Sequence, residues 1–237
     1  MLRLLERPGP ALVTVTGMPG IGKSALLEAV VAALPDPRAT LVQARHLSQP
    51  GGLSSALQAH AHPAAVVAID DVDRPPDGPD LVGSVLEASP GIRLLVTARS
   101  PLRLPHETVV RLGPLPRPDP GADPADLARD PAVRIFLRAA ARTGTSAPLD
   151  GPALVAIARV CAALGGVPLA IELVASRAAT YSPAALLDLV SRPSTLGMLH
   201  GEKGRNGDRD LLRALSWSQS LLSPAERALL EELSVFR

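Results

Sequence analysis

A glycine-rich stretch near the start of the chain has the residue types and spacing needed to bind a phosphate group. It reads G-M-P-G-I-G-K-S over residues 17–24 and fits the pattern G-x-x-x-x-G-K-[ST]. In this pattern, backbone amides and the N-terminus of the following helix surround the anion. Lys23 would reach the outer phosphates, and the Ser24 hydroxyl would bind Mg²⁺. The alternative is a structural glycine turn before a helix. The predicted nucleotide-binding residues are Gly17, Gly20, Ile21, Gly22, Lys23, Ser24 and Ala25.

Acidic and basic side chains follow two later apolar runs. Asp70 and Asp71 end the run A-A-V-V-A-I-D-D at residues 64–71, and Arg99 follows the run at residues 92–97. Ligands bind open α/β sheets at the carboxyl ends of the strands. We therefore expect Asp70 to hold Mg²⁺ through water, Asp71 to orient the attacking water and Arg99 to sense a γ-phosphate. The alternatives are an ordinary acidic turn and a solvated arginine.

Strands alternating with helices are needed to position these groups, and the first half of the chain shows that pattern. Strands are predicted at residues 11–16, 40–44, 64–71, 92–97 and 108–112, and helices at residues 24–34, 53–60 and 81–87. Strands that are apolar on both faces indicate a parallel sheet covered by helices. The predicted fold class is therefore α/β, with a five-stranded, doubly wound parallel sheet over residues 1–113.

The composition changes at residues 114–121, which read P-L-P-R-P-D-P-G and indicate a stiff linker at a domain boundary. Asp123 and Asp130 each precede a proline, so both are predicted to cap helices. Helices are predicted at residues 131–142, 152–164, 168–175, 183–190, 211–222 and 224–233. We therefore predict a small all-helical domain over residues 121–200 and a separate segment over residues 208–237.

The composition also limits the classes of function. The formal net charge of +1 over 237 residues provides no electrostatic reason to expect binding to nucleic acid or a membrane. No apolar run has the length of a membrane span, and the first ten residues lack a signal sequence, so we expect a cytoplasmic protein. Cys161 is the single cysteine and is predicted to be a small core residue rather than a nucleophile. The isolated pair His60 and His62 predicts no metal site.

Several segments, in this order, resemble the NB-ARC class of signal-transduction ATPases (the STAND group). The likeness is strongest to the bacterial branch found in transcription regulators of the antibiotic-regulator and LuxR types. The segments are T-G-M-P-G-I-G-K-S at 16–24, I-D-D at 69–71, V-T-A-R-S-P-L at 96–102, A-V-R-I-F-L-R-A-A at 132–140, G-G-V-P-L-A-I-E-L at 165–173 and L-S-W-S-Q-S-L-L-S-P-A-E-R at 215–227.

The resemblance implies a regulatory switch that uses ATP, ADP and Mg²⁺. By this likeness Pro168 packs against adenine, Arg99 senses the γ-phosphate, and residues 208–237 begin a winged-helix subdomain. ADP would hold the helical parts closed on the sheet, and exchange for ATP would open them. Slow hydrolysis, with Asp71, Lys23 and Arg99 as catalytic residues, would reset the switch. The implied partners are DNA-binding and repeat sensor domains outside this chain, with nucleotide-dependent self-association.

The sequence departs from the family pattern at both ends. It lacks the family's G-R motif before the first helix, and it stops at Arg237, before the family's histidine-bearing motif. We therefore expect a piece of a longer switch. Two other classes stay open, namely a nucleotide-binding scaffold without hydrolysis and a small-molecule P-loop kinase. A kinase of that kind would require an arginine-rich lid, whereas this chain has the segment at residues 165–173.

Overall fold

The computed structural model describes residues 11–34, 39–43, 66–73, 77–89, 91–144, 150–191 and 224–233. The chain divides into two compact units, Met1–Gly113 and Pro114–Arg237. The predicted helices at residues 53–60 and 211–222 lie outside the described residues, as does most of the predicted winged-helix segment.

A parallel sheet forms the centre of the first unit, with the strand order β2-β3-β4-β1-β5. The strands are β1 (Ala11–Thr16), β2 (Ala39–Gln43), β3 (Val66–Asp70), β4 (Arg93–Ala98) and β5 (Glu107–Arg111). The helices are α1 (Lys23–Ala33), after β1, and α2 (Gly78–Ala88), after β3. The predicted α/β fold with a parallel sheet is confirmed. Because β4 lies between β3 and β1, the ends of these three strands are neighbours at the carboxyl edge of the sheet.

Successive side chains along a strand point to opposite faces of the sheet. Because consecutive residues of the strands are mostly apolar, both faces of the sheet are apolar. On one face, Val13 and Val15 of β1 pack in a cluster with Leu27 of α1. On the other face, Leu12 of β1 packs in a cluster with Val82 of α2. One helix therefore covers each face, and aliphatic side chains form the core of this unit.

The second unit consists of helices that mostly begin at a proline. They are α3 (Pro124–Arg129), α4 (Pro131–Arg142), α5 (Gly151–Ala163), α6 (Pro168–Ala175), α7 (Pro183–Ser191) and α8 (Pro224–Leu233). Phe136 and Cys161 are fully buried in this unit, as expected for core residues. No helix within the described ranges is long and apolar enough to cross a membrane.

The two predicted aspartate caps differ in the structure. The Asp130 carboxylate accepts hydrogen bonds from the backbone amides of Ala132 (2.8 Å) and Val133 (3.2 Å), so this prediction is confirmed. Asp123 is also the N-cap residue of its helix, before a proline at the first position as predicted, but its side chain makes no capping hydrogen bond. The Asp126 amide, which a capping carboxylate would reach, donates instead to the Asp123 carbonyl at 2.9 Å.

The predicted linker at residues 114–121 belongs to the second unit. The Leu115 amide donates to the carbonyl of Gly166 at 2.9 Å. A β-carbon on Gly166 would overlap the Leu115 carbonyl, and Gly166 has a φ of 71°. Only glycine satisfies both conditions without strain. The linker therefore packs against the loop that precedes α6.

Candidate functional site

The loop between β1 and α1 turns sharply, and each of its three glycines occupies a position where the geometry favours glycine. Gly20 and Gly22 have φ values of 75° and 99°, in the left-handed region that favours glycine. A β-carbon on Gly17 would lie 2.8 Å from the backbone oxygen of Leu112. Gly22 is also the residue before the first turn of α1. The loop is therefore a tight strand-to-helix turn, as the pattern at residues 17–24 predicts.

Lys23 is largely buried, and its side chain folds back over this loop. The Nζ atom donates to the carbonyl oxygens of Gly17 (2.9 Å) and Met18 (3.2 Å). An ammonium held by two carbonyl groups keeps one N–H free for another acceptor. The lysine is therefore positioned across the mouth of the loop, where it can meet an anion.

The charges around Lys23 come from the carboxyl ends of β3 and β4. Burial lowers the pKa of the Lys23 ammonium below its ordinary value. The carboxylates of Asp71, Asp73 and Asp70 oppose this change, in decreasing order of strength. The Arg99 guanidinium reinforces the lowering of the Lys23 pKa. Three acidic groups and one basic group therefore share the electrostatic environment of the ammonium.

Asp70, at the end of β3, joins the loop to the sheet. Its side chain is only 2% exposed. The Oδ1 atom accepts hydrogen bonds from Ser24 Oγ at 3.0 Å and from Thr97 Oγ1 at 2.6 Å. Because the Ser24 proton points to Asp70, the lone pairs of the Ser24 oxygen are available to a cation. The structure therefore brings together the two residues that the sequence analysis assigned to Mg²⁺.

Asp71 lies one residue beyond the end of β3, whereas the predicted strand included it. Its φ is 54°, a left-handed value that is uncommon outside glycine. Its amide donates to Thr97 Oγ1 at 2.8 Å, and the Val72 amide donates to the Thr97 carbonyl at 3.0 Å. These bonds hold the backbone in a conformation that costs about 1–3 kcal/mol in general.

Arg99 follows β4 directly and has an exposed side chain. Its amide donates to Asp73 Oδ2 at 2.8 Å. The chain therefore places the predicted sensor residue beyond the end of the strand that lies between β3 and β1.

Thr97 and Asp73 are the two residues to which the sequence analysis gave no role. The sequence carries a signal for Thr97, because it is a polar residue at the end of the apolar strand predicted at residues 92–97. Ile69 pairs with Val96 in the parallel register, so Asp70 and Thr97 come next on adjacent strands. For Asp73 there is no comparable signal, because its contact with Arg99 depends on the turn at Asp71.

The donor set fits Mg²⁺ bound together with a phosphate ligand. Within the described ranges, no three histidine, cysteine, aspartate or glutamate side chains form a cluster suited to a metal ion. Mg²⁺ in nucleotide sites commonly takes one or two protein oxygen ligands and completes its shell with phosphate oxygens and water. Ser24 and Asp70 both carry side-chain oxygen atoms, so they match this type of donor, with Ser24 as a direct ligand and Asp70 acting through water.

Pro168 begins α6 in the second unit and is partly buried. It follows Gly165 and Gly166, which have φ values of 65° and 71°. These glycines shape the loop before the helix. The contact between Pro168 and adenine stays a prediction.

Comparisons with known proteins give partial matches. No protein-family model matches the chain. Over 158 residues it is 31% identical to an uncharacterized protein of Mycobacterium tuberculosis, a match that covers 66% of this chain and 37% of that protein. Over 157 residues it is 29% identical to a second protein of the same organism, named "Putative HTH-type transcriptional regulator", with 66% of this chain and 16% of that protein covered. The chain thus spans well under half the length of these relatives.

Among solved structures, a STAND protein with a tetratricopeptide repeat sensor from Pyrococcus horikoshii matches 95% of this chain and 32% of its own, with 14% identity and a TM-score of 0.46. The RuvB Holliday junction branch migration motor of Thermotoga maritima matches 94% of this chain and 68% of its own, with 15% identity and a TM-score of 0.42. Both TM-scores lie below 0.5.

Proposed function

We propose that this chain is a nucleotide-binding regulatory module that binds ATP or ADP with Mg²⁺. The observation that carries the proposal is the hydrogen bond of 3.0 Å from Ser24 Oγ to Asp70 Oδ1. It joins the glycine-rich loop after β1 to the acidic end of β3, the next strand but one in the sheet. Lys23 lies against the same loop. A loop that binds phosphate, a lysine and a hydroxyl–carboxylate pair together form the site that a magnesium nucleotide requires.

Four residues of the loop have specific tasks in this proposal. The amides around Gly20 and Gly22 donate to phosphate oxygens, aided by the N-terminus of α1. Lys23 shifts hydrogen bonds from the carbonyls of Gly17 and Met18 to the outer phosphates. Ser24 offers its oxygen lone pairs to Mg²⁺ while its hydroxyl group donates a hydrogen bond to Asp70. Mg²⁺, when bound, supplies positive charge that neutralises the phosphates.

The proposal extends to slow hydrolysis. Asp71 follows the strand at the same edge, where its carboxylate would orient a water molecule toward the γ-phosphate. Arg99 would recognise the γ-phosphate and thereby distinguish ATP from ADP. In this reading ADP keeps the module closed, ATP opens it, and hydrolysis resets it. A ligand can drive such a change only through different affinities for the two states.

A regulatory context is supported by the mycobacterial relative that carries a transcriptional regulator name. We propose that the chain works in the cytoplasm with DNA-binding and repeat sensor domains, and that Pro168 contacts adenine. Residues 208–237 would begin a winged-helix subdomain. Nucleotide-dependent self-association would follow from opening of the module.

The second candidate is a nucleotide-binding scaffold that does not hydrolyse ATP. The contacts of Asp70 with Ser24 and Thr97 serve nucleotide and Mg²⁺ binding in this candidate as well, because they involve none of the residues assigned to hydrolysis. Phosphate release from ATP by the purified chain, compared with the Asp71→Asn variant, separates the two candidates. Release that depends on Asp71 supports the switch, and its absence supports the scaffold.

Lys23→Ala tests nucleotide binding itself. Loss of a charge-assisted hydrogen bond to phosphate removes about 1.5–3 kcal/mol, which is about 10- to 150-fold in affinity. Isothermal titration calorimetry with ATP and ADP in the presence of Mg²⁺ measures this loss. Lys203→Ala is the matched control, because Lys203 is the other lysine in the chain. Equal affinities for the wild type and Lys23→Ala would refute the proposed site.

The roles of the two aspartates can be separated by substitution. Asp70→Ala should weaken binding that depends on Mg²⁺, because Ser24 loses the acceptor that orients its hydroxyl. Asp71→Asn should leave binding intact and slow turnover. Titrations with and without EDTA, alongside phosphate release, distinguish these effects. Identical behaviour of the two variants in both assays would contradict the assigned roles.

A further inference from the structure

Two short loops at the carboxyl edge of the sheet are joined beyond the ends of their strands. One loop contains Asp71, Val72 and Asp73 after β3, and the other contains Arg99 after β4. The amides of Asp71 and Val72 donate to Thr97, and the amide of Arg99 donates to Asp73 Oδ2. Two of these bonds therefore join the first loop to β4 itself, and the bond from the Arg99 amide to Asp73 joins the two loops.

The bond from Arg99 to Asp73 differs from the others in what it controls. β4 ends at Ala98, so the strand ladder does not hold the backbone of Arg99. The carboxylate of Asp73 takes over this role, with a distance of 2.8 Å to the Arg99 amide. It reaches this position because the left-handed turn at Asp71 redirects the chain toward the end of β4.

We propose that Asp73 is a positioning residue that fixes the backbone of Arg99, and thereby sets the preference of the site for a nucleoside triphosphate over a diphosphate. This inference rests on the proposed function, in which Arg99 contacts the γ-phosphate. A long guanidinium side chain recognises phosphate well only when its starting point is held, since otherwise the entropy of ordering it offsets the contact.

Asp73 also exerts a second, opposing effect. Its carboxylate acts on the Lys23 ammonium, second in strength to that of Asp71. A γ-phosphate placed between Lys23 and Arg99 would therefore enter the field of a nearby negative charge. The hydrogen bond of Asp73 favours the triphosphate, whereas its charge disfavours it.

Two substitutions separate these effects. Asp73→Asn removes the charge and keeps an oxygen that can accept a hydrogen bond from the Arg99 amide. Asp73→Ala removes both. Asp80→Ala is the matched control, because Asp80 is exposed in the first turn of α2 and its loss changes the net charge by the same amount.

Calorimetry with ADP and with a non-hydrolysable ATP analogue gives the ratio of the two affinities. We expect Asp73→Ala to reduce the preference for the triphosphate about tenfold, as loss of one charge-assisted hydrogen bond implies. Asp73→Asn should retain the preference or increase it, and Asp80→Ala should not change it. Asp73→Ala combined with Arg99→Ala should show no further fall in the preference below that of Arg99→Ala alone, because the hydrogen bond of Asp73 acts through Arg99 and removal of its charge only raises the preference.

Amide hydrogen exchange without nucleotide tests the positioning contact by itself. Asp73→Ala should speed exchange at the Arg99 amide, whereas Asp73→Asn should keep it protected. A merely structural role for Asp73 would lower the affinities for both nucleotides equally and leave their ratio unchanged.

Several outcomes would overturn the inference. One is a wild-type protein that binds both nucleotides with equal affinity. Another is an Arg99→Ala variant that loses the preference while Asp73→Ala keeps it, in which case the proposed function stands and the role of Asp73 fails. Unchanged affinity in Lys23→Ala refutes the proposed function separately.

Discussion

Two buried threonines on neighbouring strands provide a direct test of the hydrogen bonding in the site. Thr14 in β1 and Thr97 in β4 are both fully buried. Thr97 donates to Asp70 and accepts from the Asp71 amide. Thr14 Oγ1 has no hydrogen-bond partner among the residues that the structure describes. The same substitution, threonine to valine, should therefore have opposite effects at these two positions.

The magnitudes follow from the contacts. Thr97→Val removes a hydrogen bond to a charged group, worth about 1.5–3 kcal/mol, and leaves the Asp71 amide without its acceptor, at a cost of about 1–3 kcal/mol. Partial relaxation and the added methyl group reduce the sum, so we expect a loss of about 2–4 kcal/mol. Thr14→Val replaces a buried hydroxyl without a partner by a methyl group and should stabilise the unit by about 1 kcal/mol.

Urea unfolding followed by circular dichroism measures the difference. With an m-value of about 2 kcal/mol/M, a loss of about 3 kcal/mol lowers the midpoint by about 1.5 M. Amide exchange in β1 and β4 assigns the change to the first unit. Thr97→Ser, which keeps the hydroxyl, should recover most of the lost stability. Equal shifts for Thr14→Val and Thr97→Val would refute the argument, because burial alone would then explain both.

Further predictions concern the packing of each unit. Gly78→Ala should destabilise the first unit by about 3 kcal/mol or more in urea unfolding, because a β-carbon there would overlap the Val72 carbonyl; a loss under about 1 kcal/mol would contradict the close approach. Asp130→Ala should lower stability by about 1 kcal/mol through loss of a helix cap, and Asp123→Ala should have little effect. Burial raises the pKa of the Cys161 thiol far above its ordinary range, so this thiol should react with a disulfide reagent at neutral pH only after unfolding; rapid labelling of the native protein would show otherwise.

Local sequence determined the phosphate loop and the strand that carries Asp70. The glycine positions, Lys23 and Ser24 follow from spacing alone, because a tight turn between a strand and a helix requires glycine wherever φ is positive or another backbone is close. The continuous apolar runs in β3 and β4 indicated a sheet buried on both faces. Parallel strands then bring their carboxyl ends to one edge, so the closeness of Asp70 to the loop was predictable.

Tertiary structure decided which groups bond within that edge. Thr97 acquires its role because β4 lies between β3 and β1, and strand order is not encoded in the spacing of any one motif. Asp73 meets Arg99 because Asp71 adopts a left-handed turn, which the bonds to Thr97 support. Each of these contacts joins residues more than twenty positions apart, so local propensity carries no information about them.

The two aspartate–proline pairs show the same division at the level of one hydrogen bond. Both sequences predict a helix start, and both α3 and α4 begin at the proline. Only Asp130 caps its helix with its side chain, because in α3 the amide that Asp123 would have capped is taken by the Asp123 carbonyl. Sequence therefore determined where the helices begin. The choice between a side-chain and a backbone acceptor for the amide of the third helical residue, Asp126 or Val133, was made only by the folded backbone.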